Sequence, residues 1–131
     1  MKYYYYAILE PEKHYYNVIF PDLPGVNTFG EGIEDALDMA SDALGGHLLV
    51  CENDHDILPE PSTFDDLVSH LDVKQQLQLI MVDTKIIRAR EENRTVNKMV
   101  TLPKYMVELG KDRGINFSQT LQRALKEELN L

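Results

Sequence analysis

Residues 96–129 have the sequence VNKMVTLPKYMVELGKDRGINFSQTLQRALKEEL, which predicts one strand followed by two helices. Residues 96–102 alternate as a strand does, and Pro103 ends the alternation. A helix is expected from Lys104 to Arg113, with Gly114 as its left-handed C-cap. Asn116 can cap the second helix. The apolar face of that helix carries Phe117, Leu121, Ala124, Leu125 and Leu129.

This strand-helix-helix unit of about 35 residues is too short to bury a sufficient hydrophobic core on its own. We therefore expect a homodimer in which two copies share one core. Side-chain alternation directs Val100 and Leu102 toward that core. The same alternation directs Asn97, Met99 and Thr101 to the opposite face of the strand.

The unit resembles the ribbon-helix-helix repressors, because its strand, proline, glycine and helix cap occur at the spacing of that family. The resemblance implies that two strands, one from each chain, pair antiparallel and enter the major groove of double-stranded operator DNA. It places three side chains at base edges: Asn97, Met99 and Thr101. Phosphate contacts are expected from Lys98, Asn116, Phe117 and Ser118, the last three at a helix N-terminus. The alternative is a unit that only dimerises, since Lys98 occupies an inward strand position that is usually apolar.

The preceding residues show a different order of elements. Strands are predicted at Tyr3–Leu9, Tyr15–Phe20, Val26–Phe29 and Leu77–Val82. An amphipathic helix is expected between the third and fourth strands, with Gly45 and Gly46 weakening it near its end. Ser62 indicates the start of a second, shorter helix. Residues 84–95 are highly charged and are predicted to form a linker, with a helical linker as the alternative.

The balance of acidic and basic residues also changes between the two parts of the chain, near residue 90. The formal net charge is −9, but residues 1–90 hold 6 basic and 16 acidic residues, whereas residues 91–131 hold 7 and 6. An acidic domain favours a basic partner, because opposite potentials speed and orient encounter. The mildly basic end is compatible with binding phosphates.

The string YYNVIFPDLPGV at residues 15–26, followed by an acidic helix, resembles the HicB antitoxin domain. The later string LPEPS at residues 58–62 resembles a loop of the same family. The resemblance implies a fold like a reduced RNase H domain. It also implies a partner, the HicA toxin, a small basic RNase with a double-stranded-RNA-binding-domain-like fold, whose catalytic face the antitoxin masks. Within the first string, Phe20 and Leu23 are expected in the core and Asp22 as a turn cap; the toxin-contacting residues stay unassigned.

Other chemistry finds little support in the sequence. Cys51 is the single cysteine, so no internal disulfide can form and a buried apolar role is expected. No metal site is expected from Glu52, Asp54, His55 and Asp56, since their spacing matches no ligand pattern. A metal-dependent nuclease would need convergent carboxylates, for which the candidates are Glu10, Asp22 and Asp83. No apolar run reaches about 20 residues, so no membrane-spanning segment is expected.

These patterns predict an α+β protein with a partial RNase H-like β-β-β-α-β domain at residues 1–83, a charged linker at 84–95, and a ribbon-helix-helix (β-α-α) domain at 96–131. We expect a cytoplasmic antitoxin, with no enzymatic activity and no cofactor, that inhibits a HicA-type mRNA interferase and autorepresses its own operon. It should form a homodimer through its C-terminal domain, with a higher assembly in complex with the toxin left open. The alternative is a ribbon-helix-helix transcriptional repressor whose N-terminal domain senses a small ligand. A metal-dependent nuclease ranks third.

Overall fold

A four-stranded antiparallel sheet is the frame of the first part of the chain in the computed structural model, which describes residues 1–131. Its strands are β1 (Lys2–Pro11), β2 (Tyr16–Ile19), β3 (Asn27–Gly30) and β4 (Gln76–Asp83), in the order β3-β2-β1-β4. The central strand β1 pairs with β4 so that Tyr5 lies opposite Ile80, and with β2 so that Leu9 lies opposite Val18. The four predicted strands are thus confirmed, with their ends shifted by one or two residues.

One face of the sheet is covered by helix α1 (Gly32–Asn53), and the core lies between them. The sheet contributes the buried residues Tyr5, Ala7, Leu9, Val18, Ile80 and Val82. The helix contributes Ala36, Ala40, Leu44 and Leu48 along one stripe. Phe20 and Leu23, from the turn after β2, are also buried, as expected.

Gly45 and Gly46, which are expected to weaken α1 near its end, do not end it: the helix continues for seven residues beyond Gly46. Gly45 is buried, and a Cβ atom there would lie 2.6 Å from Cδ1 of Ile87. The missing side chain therefore allows Ile87 to approach the helix closely. Tertiary packing outweighs the intrinsic helix penalty of glycine at this position.

The stretch predicted to be a linker is mostly helical, because residues 84–92 form α3 (Thr84–Glu92). Asp83 caps its start by accepting a hydrogen bond from the Lys85 N–H, and Asn93, in a left-handed conformation, ends it. Ile87 packs against the core of the first part of the chain. The first compact unit therefore spans residues 1–93, beyond the predicted boundary at residue 83, and the second spans residues 94–131.

A short helix, α2 (Phe64–Val68), precedes β4, and its predicted start was displaced by one residue. Thr63, not Ser62, is the N-cap: its hydroxyl accepts from the Asp66 N–H, and the Asp66 carboxylate accepts from the Thr63 N–H. This reciprocal pair is a capping box. Ser62 instead donates hydrogen bonds to the carboxylate of Asp22.

The second unit contains α4 (Lys104–Asp112) and α5 (Phe117–Glu128). Gly114 has a φ of +65° and terminates α4 as predicted, with the Ile115 N–H donating to the Gly110 carbonyl. The strand predicted at residues 96–102 is absent from the single chain, where residues 93–103 have no regular secondary structure. A strand needs a neighbouring backbone for its hydrogen bonds, and this unit contains no other strand.

Candidate functional site

The second unit has almost no core of its own. Gly110 is its single buried residue, and it is buried because the ring of Phe117 lies against it. A Cβ atom on Gly110 would lie 2.6 Å from Cζ of that ring. The apolar surface buried by this one contact is far less than a stable folded domain needs to bury.

Apolar side chains of α4, α5 and the preceding segment instead form a continuous exposed face. Its members are 38 to 50% exposed: Val100, Leu102, Met106, Leu109, Ile115, Phe117, Leu121 and Leu125. Two open grooves run along it, with volumes of about 410 and 300 Å³, and both are lined by Leu102 and Phe117. We call this surface the apolar face of the second unit. A contiguous exposed apolar surface of this kind indicates an interaction site.

Four of the residues predicted to bind DNA lie on two sides of the segment before α4. Lys98 lines the larger groove with Val100 and Leu102, as the strand alternation predicted. Asn97, Met99 and Thr101 are exposed and do not line that groove; Met99 is 94% exposed. The segment thus keeps the two-sided character of a strand although it is not paired.

The N-terminus of α5 carries three of the residues predicted to contact phosphate, namely Asn116, Phe117 and Ser118. The side chain of Asn116 caps the helix, its Oδ1 accepting from the Gln119 N–H at 3.1 Å. The N–H groups of Phe117 and Ser118 belong to the first turn, where helices lack intrahelical acceptors. The Phe117 side chain is committed to the apolar face, so only its backbone could meet a phosphate.

The charges of the two compact units are opposite. Residues 1–93 hold 6 basic and 18 acidic residues, a formal charge of −12. Residues 94–131 hold 7 basic and 4 acidic residues, a formal charge of +3. Only the second unit is therefore electrostatically suited to nucleic acid, whereas the first repels it.

In the first unit, Asp22 does not cap its own turn, contrary to expectation. Its carboxylate accepts from the N–H of Ser62 at 2.8 Å and from the hydroxyl of Ser62 at 2.6 Å. Nearby, the hydroxyl of Tyr5 donates to the carbonyl of Pro59 at 2.6 Å. These bonds join the turn at residues 20–25 to the loop at residues 58–62, two strings that are far apart in the sequence.

Glu52 is the centre of a second polar cluster, one that sequence reasoning missed. Its carboxylate accepts from the hydroxyls of Tyr3 at 2.7 Å and Thr84 at 2.8 Å, and from the Arg88 guanidinium at 3.1 Å. The Tyr3 O–H, with help from Thr84 and Arg88, lowers the pKa of Glu52. The same bond and burial raise the pKa of Tyr3 to about 12. This cluster ties β1, α1 and α3 together and is structural in character.

The carboxylates considered for nuclease chemistry are not brought together. Asp22 is bonded to Ser62, Asp83 caps α3, and no group of three or more His, Cys, Asp or Glu side chains is placed to hold a metal ion. Cys51 is buried as expected, with its Sγ 3.4 Å from Nε2 of His47. Burial raises the pKa of the Cys51 thiol, which disfavours the reactive thiolate.

The sheet face away from α1 is a further surface that the sequence analysis did not single out. Its outward residues are mainly apolar: Tyr4, Tyr6, Ile8, Ile19, Phe29, Leu79 and Met81. We call it the outer sheet face. The available signal was the run Tyr3–Leu9, in which apolar residues follow one another without the alternation of a half-exposed strand.

The helices give no sign of a membrane span: even α1, the longest, lacks the required length of apolar sequence.

A comparison with the curated proteins gave no match. Among solved structures, the chain is similar to one from a toxin–antitoxin complex of Streptococcus pneumoniae, with 28% identity over 98% of this chain and 99% of that chain and a TM-score of 0.56.

Two further solved structures come from Burkholderia pseudomallei. The N-terminal domain of its antitoxin HicB is 28% identical over 62% of this chain and 99% of that chain, with a TM-score of 0.52. The antitoxin HicB itself is 24% identical over 98% of both chains, with a TM-score of 0.55, which supports a shared α+β fold.

Residues 4–122 match the model of a family described as the HicB-like antitoxin of bacterial toxin–antitoxin systems. The match omits only three residues at the start and nine at the end, so it includes the sheet, α1 and most of the second unit. The chain therefore belongs to the HicB-like antitoxins of bacterial toxin–antitoxin systems.

Proposed function

We propose that this antitoxin binds and inhibits a HicA-type RNase toxin through residues 1–93 and represses its own operon through residues 94–131. The first part is supported by family membership, by the likeness to a chain from a toxin–antitoxin complex, and by the charge of −12 on the first unit. A strongly acidic domain attracts a small basic protein and steers its approach. In this proposal the first unit is a reduced RNase H-like domain that inhibits by covering the toxin.

The observation that carries the second part is the apolar face of the second unit. A segment with one buried residue cannot be stable alone, so a second copy must cover Val100, Leu102 and the apolar residues of α5. In the dimer, residues 96–102 of the two chains pair as an antiparallel ribbon. The ribbon-helix-helix architecture and the homodimer are thus parts of one proposal.

Pairing of the two segments directs the predicted base-contacting residues outward together. Asn97, Met99 and Thr101 lie opposite the groove-lining side and would enter the major groove. The N–H groups at the start of α5, positioned by the Asn116 cap, would bind a phosphate. Lys98 lines the larger groove but is exposed, so the ammonium at the end of its long side chain would reach a second phosphate from the edge of that groove.

Three measurements on the full chain test this function. Purification from the native host should yield a stoichiometric complex with a small basic protein, and the free antitoxin should sediment as a dimer. The dimer should shift a DNA fragment containing its own promoter and leave a scrambled fragment of equal length less tightly bound. A monomer that binds neither DNA nor a basic protein would refute the proposal.

A ligand-sensing repressor is the second candidate function. A cavity of about 540 Å³ lies between the turn at residues 20–25 and α1, with Leu23, His47, Cys51 and Leu58 among its lining residues. A small effector could bind there. Isolation of the chain with no protein partner, together with DNA binding that changes on adding a metabolite extract, would favour this function.

A further inference from the structure

We infer that the outer sheet face is the surface on which the toxin docks, an inference that rests on the proposed antitoxin function. Antiparallel sheets with one free face usually present polar side chains to water. Here the free face presents two cross-strand pairs, Tyr4 with Met81 and Tyr6 with Leu79. Tyr4, Leu79 and Met81 are each 45 to 48% exposed.

The face is only partly covered within the chain. Phe64 of α2 contacts Tyr6, with ring centroids 6.3 Å apart, and covers one part of the sheet. At the other side Phe29 is 61% exposed and packs edge-on against Tyr15. Tyrosine, phenylalanine and methionine are the residues that protein interfaces favour. The uncovered part therefore has the composition of an interface core.

The shape of this surface indicates a protein rather than a small molecule. Two cavities of the first unit are lined by other residues, from α1, α3 and the loops. Small ligands need a concave site that buries most of their surface, whereas protein partners bind extended faces. The outer sheet face extends across the strands of the sheet and lines neither of these cavities.

The negative charge of the first unit favours a basic toxin over a second copy of this chain as the partner. A second copy of this chain would bring two units of −12 against each other, which long-range repulsion opposes. A basic toxin is attracted by the same charge, with Glu10 on this face and Asp65 and Asp66 on the neighbouring α2 available to its cations. Apolar contact at the centre and opposite charges at the rim are the usual division of an interface.

Methionine footprinting tests the inference on the unmodified chain. Met81 lies on the outer sheet face, and Met39 lies on the exposed side of α1, in the opposite layer, with comparable exposure of 48 and 37%. Mild peroxide oxidises exposed methionine to the sulfoxide. In the complex with the co-purified basic protein, oxidation of Met81 should slow several-fold while that of Met39 stays unchanged. Protection of Met39 alone, or of neither residue, would overturn the inference.

A binding experiment gives an independent readout. The full-length double variant Leu79→Gln/Met81→Gln should bind the basic protein about tenfold more weakly or worse, since each loses an apolar contact at the interface centre. The matched control is Val50→Gln, which changes an exposed apolar residue of α1 and should bind normally. Circular dichroism and thermal unfolding establish that all variants are folded.

The outcomes separate this inference from the proposed function. If the wild-type chain binds no basic protein, the antitoxin function and the docking surface both fail. If the wild-type chain binds it and the double variant binds equally well, only the docking surface is overturned. If the double variant instead loses self-association and keeps full toxin affinity, the face belongs to a second copy and the inference is wrong.

Discussion

The carboxylate of Asp22 accepts two hydrogen bonds from Ser62, one from the backbone N–H at 2.8 Å and one from the hydroxyl at 2.6 Å. Both residues are only partly exposed, and 40 positions separate them in the sequence. This bidentate contact fastens the loop before α2 to the turn after β2. The two strings that resemble the HicB family each supply one half of this tertiary contact.

Removing Asp22 should therefore destabilise the first unit. We expect Asp22→Ala to lower the free energy of unfolding by about 2 kcal/mol, because it leaves a partly buried N–H without an acceptor. Ser62→Ala removes only the hydroxyl bond and should cost about 1 kcal/mol. Urea unfolding measures both, with Asp42→Ala on exposed α1 surface as the control. Strict additivity in the double variant would contradict a direct bond between the two residues.

Low pH should remove the contribution of the Glu52 carboxylate to the stability of the fold. Its pKa in the folded chain is lowered, first by the Tyr3 O–H, so the carboxylate stabilises the fold above its unfolded pKa of about 4.3. That contribution is lost as the pH falls through the folded pKa. We expect Glu52→Gln to be less stable than wild type at pH 7 and the difference to shrink at pH 3. Glu34→Gln, at an exposed position of α1, should show no such trend.

Alkaline conditions test the other partner of this bond. The pKa of Tyr3 is raised from 10.0 to about 12, chiefly by its hydrogen bond to Glu52 and also by burial. The stability that this raised pKa provides is present below pH 10 and is lost as the pH rises toward about 12. Burial also raises the pKa of Tyr5, so absorbance titration of phenolate should lose one of its late-titrating tyrosines, but not every one, in Tyr3→Phe. An unchanged titration curve would mean that the bond does not persist in solution.

Two glycines should respond to alanine in opposite ways. Gly46 lies on the exposed side of α1, and no atom lies within 4 Å of the position that an added methyl group would occupy, so Gly46→Ala should stabilise by about 0.5–1 kcal/mol through helix propensity. Gly110→Ala would place its Cβ 2.6 Å from the Phe117 ring and should destabilise the second unit by about 1–3 kcal/mol. Thermal unfolding at equal protein concentration measures both. A stabilising Gly110→Ala would show that Phe117 does not pack there.

The dimer is tested by one charge on the apolar face of the second unit. Leu121 lines the larger groove, so Leu121→Glu should place a carboxylate in the shared core and convert the dimer to monomer. Gln122→Glu adds the same charge to the neighbouring residue of α5, which does not line that groove, and should leave the dimer intact. Sedimentation velocity distinguishes the two species. A dimeric Leu121→Glu protein would place the dimer interface elsewhere.

In the segment before α4, different residues should determine the sequence specificity of DNA binding and its overall affinity. Thr101→Ala and Asn97→Ala should narrow the affinity gap between operator and scrambled DNA, since each base-edge contact contributes about 1–3 kcal/mol of discrimination. Lys98→Ala should weaken binding to both fragments equally and lower the salt slope by about 1, because a phosphate contact is blind to sequence. Titrations at two salt concentrations measure these effects. If the ratio of operator affinity to scrambled-DNA affinity is unchanged in both Thr101→Ala and Asn97→Ala, the ribbon does not bind in the major groove.

Local chemistry made much of this protein predictable from its sequence. The four strands, the C-cap at Gly114 and the N-cap at Asn116 follow from strand-favouring composition, backbone freedom and side-chain hydrogen bonding, all of which act within a few residues. The expectation that the second unit needs a second copy rests on the length of that unit alone. The charge difference between the two units is likewise a property of composition.

Contacts between distant residues could be decided only by the tertiary structure. The seven residues of α1 beyond Gly46 are helical, and α3 packs against this helix where Ile87 occupies the space that Gly45 leaves. Asp22 contacts Ser62, and Glu52 contacts Tyr3, Thr84 and Arg88, across sequence separations of 32 to 49 residues that only the folded unit brings together. The segment at residues 96–102 shows the converse: its alternation determines two faces, but strand pairing requires a second backbone, which a single chain does not supply.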